Sequence, residues 1–69
     1  MDDKERLKIV ILQMLEHNKV HIEKYEKWAR VADTKQMKAV AAFINKASKL
    51  SKSGQEVLHQ ALNCFELRT

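Results

Sequence analysis

LKIVILQMLEHNKVHIEKYEKWARVA, residues 7–32, is the stretch whose reading decides the fold. Within it Leu7, Ile11, Met14, Asn18, His21, Tyr25, Trp28 and Ala32 follow alternating steps of four and three, the spacing of one buried helical stripe. Six of those eight are apolar or aromatic. Asn18 and His21 are not, and His17 stands one turn before His21. Burying an amide or an imidazole costs free energy unless the group is paired or binds something. The run Glu16-His17-Asn18-Lys19-Val20-His21 is therefore where this sequence departs from a plain amphipathic helix.

Outward from that stretch the punctuation is helical throughout. Asp2 caps a first helix, with Glu5 three residues on in capping-box position, and the helix reads to about Ala32. Asp33 and Gln36 repeat the spacing and open a second segment with the inner stripe Met37, Val40, Ala41, Ile44, Ala47 and Leu50. Ser51-Lys52-Ser53-Gly54 reads as a turn. Ser53 and Glu56 then cap a third segment carrying Val57, Leu58, Ala61, Leu62 and Phe65. No apolar–polar alternation bounded by turns is present, so strands are not expected. Short connections make successive helices antiparallel neighbours. The expected fold is all-α: an antiparallel up-down-up helical bundle with a long first helix, one domain over residues 1–69.

Lengths add a further expectation. A first helix of about 30 residues spans about 45 Å, and the two later segments are roughly half as long. Leu7–Leu15 then lacks cover within the chain, although Leu7, Ile9, Val10, Ile11, Leu12, Met14 and Leu15 are apolar nearly all round. Two solutions are open. The first helix breaks near His17-Asn18, with Asn18 as a cap, and folds back to give four helices in one chain. Alternatively it stays straight, as the absence of Pro and Gly there favours, and residues 7–15 are the interface of a homodimer or of a helical protein partner.

Composition bounds the function classes. A domain of 69 residues buries only about 60% of its unfolded surface. The net charge is +4, from thirteen Lys and Arg against nine Asp and Glu. Lys35, Lys38, Lys46, Lys49 and Lys52 lie along the second segment and read as its solvated face, so nucleic acid is not the expected partner. The opening Met1-Asp2-Asp3-Lys4-Glu5-Arg6 lacks the order of a signal peptide. The apolar run Ile9–Leu12 is far shorter than the roughly 20 residues that cross a bilayer. With a single cysteine, Cys64, the expectation is a cytoplasmic protein without membrane partners.

The histidines are the candidate site. His17 and His21, four apart, share one helical face. If the third helix starts near the level of Glu16 and runs parallel to the first, His59 reaches the level of His21, and three imidazoles converge. Imidazole suits Zn, Ni, Cu and Fe, with an open position left for a further group. The expected metal ligands are His17, His21 and His59, for Zn or Ni, with Glu16, Asn18 and Glu23 as supporting groups. The competing reading is structural: the imidazoles bond each other, Asn18 or a carbonyl, and Asn18 fixes register as buried Asn does in coiled coils. Glu56-x-x-His59 also matches half of a ferritin-like di-iron pattern, but Glu56 has the simpler capping role.

Other residues carry less. Tyr25 and Trp28 fall at core spacing, and Cys64 beside Phe65 reads as a buried inert thiol. No Ser/His/Asp set, glycine-rich phosphate loop or paired Cys motif occurs, so a non-enzymatic role is expected and no catalytic residue is assigned.

The run Leu15-Glu16-His17-Asn18-x-x-His21-x-x-x-Tyr25-x-x-Trp28-Ala29, followed by Val40, Ile44, Ala47, Leu50, Leu58, Ala61 and Leu62, resembles small uncharacterised all-helical domains of archaea and anaerobic bacteria. These carry Glu-His-Asn-x-x-His with an aromatic and a Trp-Ala downstream. The resemblance spans about Leu7 to Phe65 and implies an all-helical architecture and no particular activity. It matches Glu16, His17, Asn18 and His21; His59 belongs to no part of the pattern.

Overall fold

A computed structural model of the chain describes residues 2–66. It is all-helical and consists of two long antiparallel helices, α1 (Asp3–Thr34) and α2 (Lys38–Glu66), in a hairpin measuring 53 × 19 × 11 Å. Helix α1 opens as its sequence dictates. Asp2 sits in extended backbone and its side chain accepts from the Glu5 amide at 2.9 Å, while Asp3 and Glu5 place negative charge on the first turn.

The helix does not break at His17-Asn18. With no proline or glycine there, the amide of Asn18 turns across to α2 instead of capping. At its far end α1 closes in a Schellman turn. The Met37 amide donates to the Ala32 carbonyl (2.9 Å) and the Gln36 amide to the Asp33 carbonyl (3.1 Å), with Gln36 at φ 62°. Asp33 therefore belongs to α1 rather than capping a second segment. Its carboxylate instead meets Lys38 Nζ at 2.8 Å, tying the two helices across the turn.

The expected third helix is not separate, and neither the up-down-up bundle nor a four-helix chain forms. Helix α2 runs unbroken through Ser51-Lys52-Ser53-Gly54 to Glu66. Gly54 keeps helical backbone, at a cost of about 1 kcal/mol relative to alanine. That cost is outweighed by the bonds on either side of it. Asn18 Nδ2 donates to the Ser51 carbonyl (2.9 Å) and to Gln55 Oε1 (2.7 Å), and Gln55 Nε2 donates to the Leu15 carbonyl (3.0 Å). A turn at 51–54 would lose this part-buried amide clamp.

Because α2 reaches the full length of α1, residues 7–15 are covered on one side after all. Ile11 and Leu15 are buried against α2. The rest of the core is small: Ala29, Ala32, Ala41 and Ser48 let the backbones approach closely towards the turn. Among the described residues no large side chain is fully buried. The inward stripe of α2 is Ala41, Ile44, Ser48, Ser51 and Gln55; of the predicted run, Ala41 is buried and Ile44 and Ala47 are half-buried, whereas Met37, Val40 and Leu50 are exposed. On α1, Leu7, Met14 and Trp28 are likewise exposed rather than buried. The seam selects small residues and hydrogen-bonding amides, and this rotates the bulkier apolar stripes out of it.

Candidate functional site

Those displaced stripes meet on one side of the hairpin. Val10, Met14, His17 and His21 of α1 and Gly54, Val57 and Leu58 of α2 line one open groove of about 790 Å³. By helical spacing Leu7 and Trp28 extend the α1 stripe, and Val40, Phe43 and Leu50 the α2 stripe. The exposures are large for apolar side chains: Phe43 71%, Leu50 65%, Val57 61% and Trp28 54%. Trp28, expected in the core, instead lies open with Lys27 Nζ 5.3 Å from its ring centre. Ile9, Leu12 and Val20, also exposed, fall on other sides of α1.

His17 and His21 lie within this apolar groove, near the middle of α1. Their Nε2 atoms are 3.0 Å apart and their ring planes cross at 73°. His21 is half-buried and His17 exposed. The Tyr25 ring stacks on the far side of His21, with centroids 6.3 Å apart. The backbone beneath is held by the Asn18–Gln55 clamp. Two imidazoles placed in this way can share one proton, or aim two lone pairs at one cation.

The other predicted groups are not gathered here. Because α2 runs antiparallel to α1, His59 lies one turn beyond Gln55, level with the turn before Leu15, and is exposed. The parallel third helix that would have brought it to His21 does not exist. Glu16 and Glu23 are exposed. Cys64 is free and exposed rather than buried. Among the described residues, no three His, Cys, Asp or Glu side chains cluster as a metal would require. Helices α1 and α2 are also joined by Lys52 Nζ and Glu26 Oε2 at 2.8 Å. Lys52, by hydrogen bond and charge, holds the Glu26 carboxyl below its ordinary value; desolvation opposes this and Arg30 adds to it. Lys35, Lys38, Lys46, Lys49 and Lys52 are all exposed, as a solvated face requires. No described helix is long and apolar enough to cross a membrane.

Sequence reasoning missed Gln55. The signal was present: Ala41, Ile44, Ser48, Ser51 and Gln55 keep steps of three and four, a polar-leaning stripe that can answer Asn18.

The profile of a domain of unknown function, DUF8180, matches residues 7–65, which takes in the histidine pair, the amide clamp and the turn. The chain belongs to that family. No curated protein and no solved structure matches it.

Proposed function

We propose that this chain is a non-enzymatic self-assembly module, two copies of which pair through the apolar side of the hairpin into a four-helix bundle. The observation that carries the reading is surface area. The hairpin exposes 5644 Å², whereas a folded monomer of 8.1 kDa exposes about 4,500 Å². A bundle of twice that mass would expose about 7,500 Å², so pairing would remove about 3,800 Å² in total, within the range of obligate homodimers.

The direction of packing supports the same reading. A solitary hairpin gains by rotating Phe43, Leu50 and Val57 into its seam, yet these are turned away and the seam holds serines and amides. Helices of 32 and 29 residues, both carrying an apolar stripe on one side, form a face that a second copy matches in length. Of the predicted interface, Leu7, Val10 and Met14 belong to this face, while Ile11 and Leu15 are spent inside the hairpin. A free surface thiol at Cys64 suits a reducing compartment such as the cytoplasm.

Sedimentation equilibrium from micromolar to millimolar protein tests the proposal. The wild type is expected to be a dimer. Leu50→Glu and Phe43→Lys should sediment as monomers, and Leu12→Lys, on another side of α1, should remain dimeric. A wild-type monomer over the whole range refutes the reading, as does a dimer unaffected by both face substitutions.

A further inference from the structure

We infer that the assembled pair binds one divalent transition ion, zinc or nickel, at its two-fold axis through His17 and His21 of both copies. The inference rests on the self-assembly reading. It starts from an incomplete site: two imidazole nitrogens converge in an apolar groove, and no third ligand among the described residues joins them.

The distance suits a shared ion. With metal–nitrogen bonds of about 2.1 Å, nitrogens 3.0 Å apart subtend about 90° at the metal, and opening them to about 3.4 Å gives the tetrahedral angle. Stacking on Tyr25 and the bonds of Asn18 to α2 hold one ring and the helix beneath it in place. Neutral imidazoles are ligands for borderline divalent ions such as these.

Symmetry supplies the remaining ligands. Helix α1 runs from Asp3 to Thr34, so its midpoint lies between Asn18 and Lys19. The centre of α2 stands near the same level, because Ser51 and Gln55 both meet Asn18. A two-fold axis crossing the middle of the apolar face lays α1 on the second copy's α1 in reversed direction with full overlap. His17 of one copy then lies within about 1.5 Å, along the helix axis, of His21 of the other. The four imidazoles therefore stand in two such cross-copy levels, about 6 Å apart and one on either side of the axis, and the 3.0 Å approach of the Nε2 atoms within each copy draws the two levels together. A pair displaced by several turns from the midpoint would be carried apart by the same operation.

Isothermal titration of metal-free full-length protein with zinc chloride, and separately with nickel chloride, reads the stoichiometry, and sedimentation of the same samples reads the assembly. The expected result is one ion per two chains. His21→Ala and the milder His21→Gln should lose it while keeping the helical circular-dichroism signal, and His59→Ala should bind as the wild type does. One ion per single chain, no binding tighter than about 10 μM, or loss on His59→Ala overturns the inference. A metal-free dimer that binds neither ion sinks this inference alone and leaves the assembly reading standing. A metal-free monomer that dimerises only around one ion per two chains sinks the assembly reading as stated and supports the site.

Discussion

The amide clamp between the helices makes a quantitative prediction. Asn18→Ala removes two hydrogen bonds, to the Ser51 carbonyl and to Gln55 Oε1; Gln55→Ala removes two, from Asn18 and to the Leu15 carbonyl. One bond is common to both pairs. At about 1 kcal/mol net for each part-buried bond, each single variant loses about 2 kcal/mol of interaction and the double variant about 3, leaving a coupling of about 1 kcal/mol. Alanine returns a few tenths of a kcal/mol through helix propensity in each single variant, but that gain cancels in the cycle. The assay is urea unfolding of all four proteins by far-ultraviolet circular dichroism, at one fixed protomer concentration because an assembly's stability carries a concentration term. Additivity within about 0.3 kcal/mol would refute the clamp as the element that sets the register of the hairpin.

Two further expectations concern the turn and the cross-helix ion pair. Gln36 occupies left-handed backbone that glycine adopts without strain, so Gln36→Gly should stabilise the fold by about 1 kcal/mol, raising Tm by about 4–8 °C; a lowered Tm in a thermal melt would contradict the strain. Glu26, held below its ordinary value by Lys52, adds stability that is present above the carboxyl's unfolded pKa and is lost as pH falls from there through the lower folded value. Lys52→Ala should therefore flatten the acid limb of stability against pH in urea titrations, and an unchanged limb would refute the pairing.

Much of the architecture was legible because it depends on local patterning. Asp2 and Glu5 marked the start of α1, the stripe through residues 7–32 its length, and Lys35 to Met37 lie close to the turn expected after Ala32. The third helix was a misreading with a physical cause. Ser51-Lys52-Ser53-Gly54 has turn composition, but composition weighs only local preferences, and the bonds from Asn18 that keep α2 straight come from a residue 33 positions away. The same long-range pairing decides which stripe faces inward, so Met14 and Trp28 were expected inside and lie outside. At the candidate site, the i, i+4 spacing of His17 and His21 was sufficient to foresee their contact, since that geometry belongs to any helix. The level of His59 depended on chain direction, and the missing turn at 51–54 reversed it.

The three-residue turn at 35–37 leaves both ends of the described chain at the same tip of a rod 53 Å long. In a pair built on reversed helices, the two tips point away from each other. Anything attached to either end of one copy is then held a rod's length from its counterpart on the other. Under the proposed assembly, pairing so arranged would act as a spacer as well as a joint, fixing how far apart two attached bodies stand.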